Sequence, residues 1–307
     1  MAPQKKEIVW TEVPILIHGI TPNKEPGSHA EEYKQLMDGV NRSLVEAGKP
    51  VLTTAPICIE WGIPSTQSSE NDRYLAEVQR IIASRVKDAM GAAYNGPLNA
   101  YGAVRDLIFY GASDLFYYVS SDGETALRNH VFKYIAQQIT KLDDGSRYFS
   151  LVIFGHSAGS VIAHDLLFHM FGKKDPSATE TQEIFQQMDP LRDLVKQGRL
   201  RIRKLYTFGS PISPLMLRAD SLIKRLRKED WLDPEKIGLR QKDKLDNPRW
   251  VNFWERDDPA SYPVIPLYKN NADVIEDYQL QLGAVWKNVH VLYWGSSVMA
   301  KEIARTF

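Results

Sequence analysis

Cysteine occurs once in this sequence of 307 residues, at Cys58. A lone thiol excludes an internal disulfide and a cysteine-based metal cluster. In the apolar run from Ala55 to Glu60 it reads as a small buried hydrophobe. A surplus of charge is lacking too, with 38 Lys and Arg against 38 Asp and Glu. No net field therefore draws the chain to nucleic acid or to an acidic membrane, and a small neutral substrate suits that balance. No apolar run approaches the ~20 residues of a spanning helix. The opening Met1 to Pro14 holds no stretch long enough for a signal peptide. No transmembrane segment and a cytoplasmic location are the expectations. The His-Glu-x-x-His pattern of zinc hydrolases is missing, so no metal is expected. Internal repeats and low-complexity tracts are absent, and nothing in the composition specifies an oligomeric state.

What is present is a globular balance, 43% hydrophobic and 25% charged. Short apolar runs recur at Pro14 to Ile17, Val51 to Ile59, Leu151 to Phe154, Leu200 to Phe208, Trp250 to Trp254 and Val274 to Leu282. Between them lie stretches of helical periodicity, the pattern of an α/β protein with a mostly parallel sheet. Tyr33, Met37, Val40 and Leu44 share one helical face, and Gly48 is a stop signal. Ser121 and Glu124 form a capping box ahead of Leu127, Val131, Ile135, Ile139 and Leu142. The spacing predicts one domain over 1–307 with insertions at about 62–120, 172–197 and 215–246. The last two are charged and read as solvated surface. The first contains Leu98 to Val119, too apolar to lie bare in water.

The segment Leu151-Val-Ile-Phe-Gly155-His156-Ser157-Ala158-Gly159 joins a buried strand to an apolar helix through a G-x-S-x-G pattern. The bare motif is weak, but strand before and helix after make it specific. A sharp strand-to-helix turn can present the Ser157 hydroxyl, and glycines at 155 and 159 let backbones pass closely. The Ala158 N–H, at the helix N-terminus, would then face a developing oxyanion.

At these residues the chain resembles the α/β-hydrolase superfamily, particularly its lipase and esterase branches, over about Val13 to Trp294. The resemblance implies the α/β-hydrolase fold, a mostly parallel sheet flanked by helices, with a cap-like insertion. Pro14-Ile-Leu-Ile-His18-Gly19-Ile20 resembles the family's strand and His-Gly oxyanion turn, which implies Ile20 as a second N–H donor. Tyr206-Thr-Phe-Gly209-Ser210-Pro211 resembles the strand and turn that follow the nucleophile helix. Trp250 to Pro259 resembles the strand whose following turn carries the acid. The family's order of serine, acid and histidine implies Ser157, then Asp257 or Asp258, then His290. Of seven histidines, His290 alone follows those aspartates. It lies beyond the alternation of Ile275, Tyr278, Leu280 and Leu282, where the last strand should end. Asp258 is preferred because the resemblance places the acid directly before the proline.

The other histidines read differently. His18 is expected to support the oxyanion loop and, with His156, to border the substrate pocket. His164 and His169 lie too far along the nucleophile helix, while His29 and His130 read as solvated helix positions. Phe109 and Phe116 would wall an acyl pocket if Leu98 to Val119 forms a cap. The resulting expectation is a serine hydrolase, of carboxylesterase or lipase type, cleaving a small-molecule ester with an apolar group and needing no cofactor. Acyl transfer or thioester hydrolysis on the same residues is the alternative within that chemistry. An interaction module without turnover is the alternative outside it.

Overall fold

The computed structural model describes residues 8–19, 27–61, 129–172, 181–218, 233–240, 248–268, 273–283 and 289–307. Among these, six strands form one sheet: β1 (Trp10–Ile17), β2 (Ile57–Ile59), β3 (Tyr148–His156), β4 (Leu200–Phe208), β5 (Trp250–Glu255) and β6 (Ile275–Leu280). They are hydrogen-bonded in the order β2-β1-β3-β4-β5-β6, and every neighbouring pair is parallel. The helices are α1 (Ala30–Glu46), α2 (Asn129–Leu142), α3 (Ala158–Phe171), α4 (Thr181–Lys196), α5 (Ile212–Arg218), α6 (Val289–Leu292) and α7 (Ser297–Thr306). No helix among the described residues is long and apolar enough to cross a membrane.

A parallel sheet covered on both faces needs strands that are apolar throughout, and β3 is buried at every residue after Tyr148. Alternate side chains feed two cores. Ile15, Ile17, Leu151 and Ile153 pack with α2, α3 and α4, whereas Leu16, Val152 and Phe154 pack with α1 and α7. Helix α1 buries Tyr33, Leu36, Met37, Val40 and Leu44 on one stripe. It stops where Gly48 turns left-handed at φ 67°. There the Lys49 N–H donates to the Leu44 carbonyl and the Gly48 N–H to the Val45 carbonyl, satisfying the last turn.

Three stretches depart from their sequence reading. Of the Val51 to Ile59 run only the last three residues pair as strand, because Pro56 has no N–H to give a ladder; the Leu52 N–H instead donates to Asn41 Oδ1 on α1. The charged stretches expected to be solvated surface contribute to the core. Helix α4, within 172–197, buries Met188, Leu191 and Leu194 at a spacing of three, which gathers them on one face while its charges take the other. Ile237 and Leu239, within 215–246, are fully buried. Cys58 is half-buried.

His164, on α3, is buried with its Nε2 against the Tyr268 hydroxyl and its ring beside Trp250. Burial lowers it from 6.5 to about 4, against the smaller opposing pull of Asp165. Between those values the unfolded chain takes a proton that the folded one refuses, so stability present above pH 6.5 is lost as pH falls toward 4. The share from this residue is roughly 3 kcal/mol. Denaturant melts at pH 7 and pH 4.5 should therefore differ by less in His164→Gln than in the wild type.

The sheet order positions the site. The chain leaves β1 for β2 on one side and returns to β3 on the other, so the carboxyl ends of β1 and β3 flank a switch point. Ligands bind outside such points in open parallel sheets.

Candidate active site

Ser157 is the single residue between β3 and α3, and it turns the chain with φ 53° and ψ −128°. Among the described residues it is the one non-glycine with positive φ. Such a conformation costs about 1–3 kcal/mol and persists only where the surroundings over-determine it. Here the Ser157 N–H donates to the Phe208 carbonyl at 2.9 Å. The Ser157 carbonyl accepts from the Ser160 N–H at 2.9 Å and from the Ser160 hydroxyl at 2.5 Å. The Ser160 hydroxyl in turn meets Ser210 Oγ at 2.8 Å, tying the turn to the end of β4.

The glycines around the turn are required sterically. A Cβ on Gly159 would lie 2.3 Å from the Ile17 carbonyl oxygen, one on Gly155 2.8 Å from Ser160 Cα, and one on Gly19 2.5 Å from Ser157 Cβ. The end of β1 and the turn after β3 thus approach too closely for a side chain at Gly19 or Gly159, and the turn sits at the switch point.

His290, on α6, approaches the same place from beyond β6. Its Nδ1 lies 2.9 Å from Asp258 Oδ2 and 3.1 Å from Oδ1. A carboxylate can only accept, so Nδ1 carries the proton and the neutral ring keeps its lone pair on Nε2. Nε2 is buried and makes no hydrogen bond to any described residue, Ser157 Oγ included. The Asp258 side chain is wholly buried. It also accepts from the Tyr293 hydroxyl at 2.9 Å and the Ala260 N–H at 3.0 Å. Burial alone would raise the Asp258 carboxyl, but the bonds from His290, Ala260 and Tyr293 outweigh it and hold the group below its ordinary value. Asp257 points elsewhere: its side chain is exposed, with Oδ1 3.6 Å from Arg256 Nε.

Ala158 opens α3, and its N–H is among the first-turn groups without a helical acceptor. Ile20, the other expected donor, lies outside the described residues, as do Phe109, Phe116, the segment Leu98 to Val119 and the Ser121–Glu124 capping box. His18 is buried directly before Gly19, its ring stacked on His29 at 3.8 Å and on Trp61 at 5.6 Å. The Trp61 N–H donates to His18 Nε2 at 3.1 Å, which leaves the proton on Nδ1, against the Gly19 carbonyl oxygen. His156 is 5% exposed, and its Nε2 lies 2.6 Å from the His290 carbonyl oxygen. Gly209, at φ 61°, leaves room for both rings, since a Cβ there would stand 3.0 Å from His290 Cε1 and 3.3 Å from His156 Nε2.

Sequence reasoning missed four contributors. Tyr293 follows His290 by three residues, a spacing that puts both on one helical side and could have flagged it. Ser160 and Ser210 carry no such signal, because their contact joins distant segments. The fourth is His29, which corrects the reading of a solvated position: it is 8% exposed and stacked on His18. It precedes Tyr33 by four residues and so lies on the buried stripe of α1. His130 is exposed, as expected. Among the described residues no group of three or more His, Cys, Asp or Glu is gathered to hold a metal ion.

No protein-family model matches this chain, and no curated protein is significantly similar to it.

Proposed function

We propose that the protein is a serine hydrolase of the α/β-hydrolase type, cleaving a carboxylic ester through an acyl-enzyme formed on Ser157. The observation that carries this reading is the strained conformation of Ser157. Strand, one serine at positive φ, helix: this turn presents a hydroxyl at the carboxyl edge of a sheet, and a residue with no such task would relax or be glycine. An imidazole whose Nδ1 is committed to a buried carboxylate and whose Nε2 has no partner among the described residues supports it further.

In this mechanism His290 Nε2 takes the proton of Ser157 Oγ as that oxygen attacks the acyl carbon. The Asp258 carboxylate holds the ring and balances its charge. The Ala158 and Ile20 N–H groups stabilise the oxyanion, a contribution of roughly 3 kcal/mol per donor. The ester C–O bond then breaks and the alcohol departs with the proton from Nε2. Water attacks the acyl-enzyme with His290 as base, and the acid leaves. Hydrogen bonds between nucleophile and base are often long before substrate binds, so the unpartnered Nε2 fits this course.

The test is nitrophenol release from a short-chain nitrophenyl ester by the purified protein. Turnover well above the uncatalysed rate is expected. A rate equal to background, or one unchanged in Ser157→Ala, contradicts the proposal and leaves an interaction module. Release that rises with added alcohol and yields a new ester points to acyl transfer on the same residues.

A further inference from the structure

We propose that His156 is a positioning residue for His290, acting through the hydrogen bond from its Nε2–H to the His290 carbonyl. The inference rests on the hydrolase reading above, because it assigns His290 the role of base.

The nucleophile and the base belong to segments far apart in the chain. Ser157 is fixed by β3 and α3, whereas His290 sits on a helix of four residues. Its ring is held from one side by Asp258, through Nδ1. That bond leaves the ring able to pivot about Nδ1, carrying Nε2 toward or away from the Ser157 turn. A second attachment, at the backbone of the same residue, removes that freedom, and His156 provides it at 2.6 Å. The donor belongs to the residue before the nucleophile, so the distance from turn to base is set by a bond that starts one peptide from Ser157.

The chemistry of His156 suits a tether. A carbonyl oxygen only accepts, which fixes the proton of His156 on Nε2. Its ring lies 4.7 Å from the His290 ring, so a charge on His156 would oppose the imidazolium that His290 must become. Phe208 and Trp294 enclose the ring at 5.2 Å each, with Tyr293 at 6.0 Å. Burial among them, with the nearness of His290, drives His156 well below the usual histidine value. The bond to the His290 carbonyl and the charge of Asp258 oppose this, and His29 adds a small push in the same direction as burial. The group that holds the base is thereby kept neutral while the base ionises.

Two substitutions separate a tether from a space-filling ring. His156→Phe keeps the ring and loses the donor; His156→Gln loses the ring and keeps an N–H at similar reach. A tether predicts that kcat on the nitrophenyl ester falls about 10²-fold in His156→Phe with KM little changed, the cost of a base misplaced by about 1 Å. It predicts recovery to within about 10-fold of wild type in His156→Gln. The reverse order, with Phe active and Gln impaired, overturns the proposal in favour of packing, and so do equal losses in both. Should the Phe variant not fold, the Gln variant decides alone: activity near wild type supports the tether, and a loss of 10²-fold refutes it. The proton NMR resonance of His290 Nδ1–H, read in the same proteins, needs no turnover. It should weaken in His156→Phe and persist in His156→Gln. If the wild type hydrolyses no ester yet this resonance follows the donor, the hydrolase reading fails and the positioning stands. If the resonance is indifferent to His156, the positioning fails whatever the activity.

Discussion

Ser157→Ala should lower kcat for an accepted nitrophenyl ester by about 10⁶-fold, the scale on which a triad nucleophile is lost. What remains should be roughly 10³–10⁴ over the reaction in water, supplied by binding and by the oxyanion donors. Ser157→Gly should lose as much activity but gain stability, because glycine occupies φ 53° without a Cβ. The strain of about 1–3 kcal/mol relieved there exceeds the ~0.5–1 kcal/mol that glycine costs through its looser unfolded chain. A net gain of about 1 kcal/mol is expected in urea denaturation. Such a trade of stability against activity at one residue would mark the turn as maintained for chemistry. A glycine variant no more stable than wild type would remove the strain from the argument.

Asp258→Asn is the second large effect, a loss of about 10⁴-fold in kcat. The amide can donate to His290 Nδ1, which would move the ring proton to Nε2 and leave the base with no lone pair facing Ser157. The amide oxygen would keep the Ala260 N–H and the Tyr293 hydroxyl can turn to accept from the amide, so the geometry should survive while the tautomer changes. Asp257→Asn should stay within about threefold of wild type, since an exposed pair such as Asp257 with Arg256 contributes little. If the two variants exchange places, the acid is Asp257. The depressed Asp258 carboxyl adds a pH consequence with a definite sign. It contributes stability above the ordinary aspartate value of 3.8, and that contribution is lost as pH falls through the lower folded value. Asp258→Asn should therefore be less sensitive than wild type to acid below about pH 4.

How much of this was legible depended on whether the signal was local. Strands buried on both faces write themselves as apolar runs, so the Leu151 and Leu200 strands could be read directly, as could the stripe of α1 from Tyr33 to Leu44. The turn around Ser157 was legible because a close backbone approach excludes side chains at 155 and 159. The meeting of His290 with Asp258 was reachable through chain order and a family resemblance, and periodicity alone would not have found it. The readings that went astray had two causes. Helix α4 was read as surface because its charges outnumber the apolar residues that it buries at every third position. His29 was read as solvated because its stacking on His18, eleven residues earlier in the chain, leaves no local signal. The same limit hid the Ser160–Ser210 contact and the bond from His156 to the His290 carbonyl. Contacts between segments far apart in sequence leave no periodicity to detect.

The most direct test of the account is covalent. A fluorophosphonate probe should react with the purified protein at one site per chain, because a serine activated by a neighbouring imidazole attacks phosphorus as it attacks an acyl carbon. Peptide mapping should locate the label on Ser157, with ester hydrolysis lost in proportion to labelling. Label on another residue, or an active preparation that takes up none, would contradict Ser157 as the nucleophile.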